Sequence, residues 1–152
     1  MSSMTNPRGR IYSVGYEGFT QRGFIEAMSQ SKVDIVVDVR LNAMSRKAGF
    51  SKRGLHDALE EAGVAYIHEP KLGNPPDNRD SFRTGDGKSG RRRIEKMLAN
   101  GSGEALQRVV DLARSKSIAL LCVERDPARC HRAVIIDAIC VLEPELEVLP
   151  VL

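Results

Sequence analysis

Residues 118–136 read IALLCVERDPARCHRAVII and bring Cys122, Glu124, Cys130, His131 and Arg132 into one short span. A thiol, a carboxylate, an imidazole and a guanidinium can between them attack an electrophile, move protons and hold an anion. No other stretch is as dense in such groups. The apolar run 118–123 has the pattern of a buried strand. Pro127 lies in a polar connection, and an apolar helical pattern restarts at Cys130. Cys130, His131 and Arg132 would then open a helix, where unpaired amides and the helix dipole favour negative charge and Arg132 adds donors for an anion. The same field lowers the pKa of a thiol, which makes Cys130 a candidate nucleophile. The competing reading is structural: Cys130 as a small apolar cap and His131 satisfying a local hydrogen bond.

Glu124 closes an apolar strand, a position for a general base or for a salt bridge to Arg40 or Arg132. Asp38 and Arg40 follow the β-branched run VDIVVDV and share one face of it, either as site residues or as an ion pair. Cys122, between Leu121 and Val123, reads as core, as does Cys140 in the last helix. Cys130, His131, His68 and a carboxylate match no closed zinc pattern, so no metal ligand is assigned, and the residues name no cofactor.

Strands and helices must alternate to hold these groups. RIYSV at 10–14, VDIVVDV at 33–39, VAYIH at 64–68, the run 118–123 and residues 146–152 read as strands. Helices are expected after Thr20 and Ser51 as N-caps, over 91–100, from Ala105 to Ala113 and from Cys130 onward. The expected fold is a single α/β domain over residues 11–152, with a mainly parallel open sheet of about five strands and helices on both faces. Residues 1–10 read as a flexible tail, and 75–102 as a polar excursion rich in Gly, Asp and Arg. The binding crevice of such a sheet lies beyond the carboxyl ends of its strands. It would gather Tyr16, Asp38, Arg40, Gly73, Glu124, Cys130, His131 and Arg132 from four loops.

The chain has 152 residues, 41% of them hydrophobic and 28% charged, the composition of one globular domain. No apolar run is long enough for a membrane span, and residues 1–10 carry no apolar signal core, so the expected address is the cytoplasm with no membrane partner. Three cysteines do not form a secreted disulfide framework. The net charge of +3 says little about partners. Clustering says more: Arg46, Lys47, Lys52 and Arg53 surround Phe50, and Lys88 to Arg93 lie near Phe82, a mixture that suits a phosphate backbone and a stacked base.

The motifs IYSVGYEG, DVRLNAMSRKAGFSKRGL, AYIHEPKLGNP and LLCVERDPARCHR, in that order, resemble the domain-of-unknown-function 488 family over residues 11–138. The resemblance implies a small cytosolic α/β protein with no assigned activity. It also implies a site at Asp38, Arg40, Ser45, Glu124, Cys130, His131 and Arg132. The leading expectation is a pocket for a phosphate-bearing small molecule or a nucleic acid. In it Tyr16, Arg40, Ser45, Arg46, Gly73 and Arg132 bind substrate, and Asp38, Glu124, Cys130 and His131 supply catalysis, as in a hydrolase or transferase. The alternatives are a non-catalytic nucleic-acid-binding module and a thiol-dependent enzyme using Cys130.

Overall fold

The computed structural model describes residues 9–83, 87–126 and 129–150. Five strands form one sheet: β1 Arg10–Gly15, β2 Ile35–Asp38, β3 Ala65–His68, β4 Ser117–Cys122 and β5 Glu147–Pro150. Their order across the sheet is β3-β2-β4-β1-β5, and all four pairings are parallel. The helices are α1 Gln21–Gln30, α2 Lys52–Glu61, α3 Pro76–Arg83, α4 Gly87–Ala99, α5 Gly103–Ala113 and α6 Arg132–Leu142, with a short 3₁₀ turn at Pro70–Leu72.

Alternation along each strand feeds two separate cores. Ile11, Ile35, Val37, Ile118 and Leu120 meet α5 and α6 through Val109, Val110, Ile135 and Ile139. Tyr12, Val14, Val36, Ala119 and Leu121 meet α1 and α2 through Phe24, Met28, Leu55 and Leu59. Both faces of the sheet are therefore covered, as the continuous apolar runs of β2 and β4 require. The chain leaves β1 and β2 toward the α1/α2 face, whereas central β4 leads to α6 on the other. Strands whose exits diverge in this way open a crevice at their carboxyl ends.

Local signals acted largely as read. Thr20 caps α1, its Oγ1 accepting from the Gly23 amide at 3.0 Å. Gly63, at φ 80°, ends α2 in a conformation that favours glycine. Ser51 stands at the N-cap of α2, but its hydroxyl makes no capping bond and serves Ser45 instead. The polar stretch 75–102 differs from expectation in containing α3 and in starting its later helix, α4, at Gly87 rather than Arg91. Its helical pattern is hard to read because Asn78, a polar residue, is the buried position of α3, held by Asn74 Oδ1 at 2.8 Å and the Gly90 carbonyl at 3.2 Å. The expected tail, 1–10, yields its last residue to β1, and residues 1–8 lie outside the described part.

Candidate functional site

A cleft of about 410 Å³ opens at the carboxyl ends of β1, β2 and β4. Tyr16 enters it from β1. Arg40, Ser45 and Arg46 come from the segment after β2, Asn74 and Arg79 from the region before and within α3, and Cys122, Glu124, Arg129, Cys130 and His131 from the β4–α6 connection. Four arginines, Arg40, Arg46, Arg79 and Arg129, thus share one cleft, and Glu124 is the one carboxylate among its described lining residues.

The β2 end is built around a buried ion pair. Asp38 is fully enclosed; it accepts from Arg40 Nε at 2.8 Å and Nη2 at 2.6 Å, and from the Tyr66 hydroxyl at 2.5 Å. Arg40 Nη1 donates to the Phe50 carbonyl at 2.7 Å, and the guanidinium stands 5.4 Å from the centre of the Tyr16 ring. Burial alone would pull the Arg40 pKa down, but the two-pronged bond to Asp38 outweighs it and raises it above the ordinary value. Burial, joined by the Asp38 charge, pushes the Tyr66 phenol well up. Asp38 thus takes the ion-pair reading: it holds Arg40 at the cleft wall and does not line the cleft itself.

The β4–α6 end is organised by Arg132, the first residue of α6 and 1% exposed. Its Nε donates to Ser13 Oγ at 2.7 Å, its Nη1 to Cys122 Sγ at 2.7 Å and the Glu124 carbonyl at 2.8 Å, and its Nη2 to the Arg125 carbonyl at 3.3 Å. One side chain therefore ties β1, β4 and the connection together. Burial lowers its pKa to about 10, against the pull of the Glu124 and Asp126 charges. Expected to hold an anion, Arg132 instead turns inward, away from the cleft lining, with all three nitrogens donating to protein atoms.

His131 is buried, and its Nε2 lies 3.0 Å from the Val39 carbonyl. A carbonyl only accepts, so Nε2 carries the proton and Nδ1 is left facing Cys130 Sγ at 3.5 Å. Burial lowers the His131 pKa to about 4, more than the backbone bonds restore, so the ring is neutral near pH 7. Cys130 Sγ also accepts from the Arg132 amide at 3.4 Å, taking up one of the first amides of α6. The structure pairs Cys130 with Cys122 sulfur to sulfur, with their Cα atoms 7.6 Å apart.

Of the remaining expected site residues, Tyr16 and Ser45 are joined by a 3.0 Å hydrogen bond between their hydroxyls at the cleft wall. Gly73 does not reach the cleft. A Cβ there would stand 2.3 Å from Leu41 Cα, so this glycine permits the close approach of two loops. Gly15 acts likewise at the end of β1, where a Cβ would meet the Glu124 carbonyl oxygen at 1.8 Å. Arg79 and Arg129 line the cleft without having been singled out; Asn74 and Cys122 line it too, the latter reading as core from the sequence. Arg129 lay in view one residue before Cys130, whereas Arg79 was hidden in the polar stretch. Phe50, a candidate base-stacking residue, is fully buried, stacked on Tyr16 with ring centres 4.5 Å apart. Among the described residues no group of three or more His, Cys, Asp or Glu side chains could hold a metal ion.

Fold and cleft together define a parallel α/β domain with an arginine-lined crevice at the ends of its strands. Residues 20–139 match the family described as Domain of unknown function DUF488, and the chain belongs to that family. No curated protein matches it. No described helix is long and apolar enough to cross a membrane.

Proposed function

We propose that the cleft binds a small phosphate-bearing molecule and that the protein acts on it. The observation that carries this reading is the convergence of Arg40, Arg46, Arg79 and Arg129 on one cleft with a single described carboxylate, Glu124. Guanidinium groups match phosphate oxygens two at a time; with Arg40 balanced by Asp38, Arg46, Arg79 and Arg129 supply the net positive charge by which a concave site concentrates anions. Asp38 and Tyr66 fix Arg40 in place, so that arm of the site is formed before ligand arrives. Glu124, at the cleft wall, is the acid or base, and Cys130 and His131 form the floor.

A small anion fits better than a nucleic-acid strand. Phe50 is enclosed and cannot stack on a base. Two of the arginines in the second basic cluster are ion-paired, Arg91 with Asp137 at 2.7 Å and Arg93 with Asp77 at 2.6 Å. Calorimetric titration of the full chain with inorganic pyrophosphate tests the reading. Saturable binding should weaken about tenfold in each of Arg46→Ala and Arg79→Ala, the effect of one lost charged hydrogen bond. Absence of binding at low salt would sink it. So would binding that Arg92→Ala weakens and Arg46→Ala does not.

A further inference from the structure

We propose that Cys122 and Cys130 form a redox-active dithiol at the floor of the cleft, in which Cys122, held as the thiolate by Arg132, attacks an anionic disulfide and Cys130 resolves the product. The inference rests on the anion-binding reading of the cleft only for the charge of its substrate.

Four observations carry it. First, the two cysteines meet sulfur to sulfur, and both line the cleft, so a small solute reaches the pair. Second, their Cα atoms lie 7.6 Å apart, beyond the roughly 4.4–6.8 Å that a disulfide ordinarily spans, so making and breaking the bond between them goes with a shift of the backbone that carries them. Third, Arg132 is buried with a hydroxyl, two main-chain carbonyls and Cys122 Sγ as its side-chain hydrogen-bond acceptors. Of these, only the sulfur can become an anion, and a buried guanidinium bonded to it favours that form beside the more distant Glu124 and Asp126 charges. Fourth, His131 Nε2 is committed to Val39, which leaves Nδ1 as an acceptor toward Cys130 Sγ. The Arg132 guanidinium donates to Cys122 and only its amide to Cys130, so the two sulfurs are unequally placed for the two steps of a dithiol exchange.

In the first step the Cys122 thiolate attacks one sulfur of RS–SR. A Cys122–SR mixed disulfide forms, the substrate S–S bond breaks, and RS⁻ leaves. In the second, Cys130 attacks the Cys122 sulfur, the Cys122–Cys130 bond forms, and the second thiol departs with the Cys130 proton as RSH. The cysteine pair is oxidised by two electrons and the substrate disulfide is reduced by two. The substrate class is a low-molecular-weight disulfide bearing carboxylate or phosphate groups, which the cleft arginines would draw in.

The test uses the full chain, reduced with dithiothreitol and freed of it, and the dianionic disulfide 5,5′-dithiobis(2-nitrobenzoate). The expected result is a fast phase that releases two thionitrobenzoates and leaves no label on Cys122 or Cys130. Cys140, the third cysteine, should react at least tenfold more slowly and keep its label. Cys130→Ser should release one thionitrobenzoate in the fast phase and trap the other on Cys122, and Cys122→Ser should slow that phase at least tenfold. Peptide mapping of the wild-type chain, acid-quenched early, locates the first mixed disulfide without any substitution; it should fall on Cys122. Label retained on both cysteines of the wild type, or a first adduct on Cys130, would overturn the proposal. A parallel run with neutral 2,2′-dithiodipyridine separates the two readings. Equal rates for the two reagents, with two-thiol release in both, would uphold the thiol pair and contradict the anion-binding cleft.

Discussion

Arg40 and Arg132 are both buried at the carboxyl end of the sheet, yet their surroundings differ. Arg40 lies against a carboxylate, which raises its pKa, and still shows a face to the cleft. Arg132 faces a hydroxyl, a sulfur and two carbonyls, its pKa falls to about 10, and it does not line the cleft. One is held at the cleft wall by a directly bonded counter-charge; the other is bonded to uncharged acceptors, with the Glu124 and Asp126 charges acting on it from further off. Residue type alone does not separate these roles; the partners do.

The largest expected effect breaks the first half of that contrast. Arg40→Met strands a buried carboxylate and should cost about 3–5 kcal/mol in urea unfolding. Adding Asp38→Leu removes the stranded charge and should recover at least half of that loss; no recovery would mean that the two residues are not energetically a pair. Next comes pH at the other end. His131 has a folded pKa near 4 against about 6.5 unfolded, so the unfolded chain binds a proton that the folded one refuses between those values. Its contribution is present above pH 6.5 and is lost as pH falls toward 4, up to about 3 kcal/mol. His131→Gln keeps a donor for Val39 and cannot titrate, so its stability should lack that slope.

Arg132→Lys sharpens the second half. An ammonium cannot span four acceptors on three structural elements, and about 2 kcal/mol should be lost as a lower urea midpoint. Unlike the Arg40 case, Glu124→Gln should not restore it, because the bond goes to the Glu124 main-chain carbonyl. The smallest effect on folding belongs to Arg46→Ala at the cleft rim, within about 0.5 kcal/mol by thermal unfolding.

The strands, their parallel arrangement and the crevice were legible because β-branched runs and loop polarity report directly on burial. Strand alternation put Asp38 and Arg40 on one face but left open whether they form a site or an ion pair, which their bonds decide. The inward turn of Arg132 was not legible, since it depends on carbonyls that the chain presents only after β4 and β1 are side by side. Arg79 was missed because α3 buries an asparagine, which breaks the apolar periodicity that marks a helix. Phe50 looked exposed among its basic neighbours, but Tyr16, 34 residues away, supplies its stacking partner. Cys122 was read as core from its apolar flanks. It is buried, but at the cleft floor, a distinction that only the geometry of the fold draws.

The most direct measurement for the anion-binding cleft is a backbone amide NMR titration of the full chain with inorganic pyrophosphate at low salt. Saturating shifts confined to residues 40–46, 74–79 and 129–132 are the expected result. Shifts gathered instead on residues 88–93, or none at all, would contradict it.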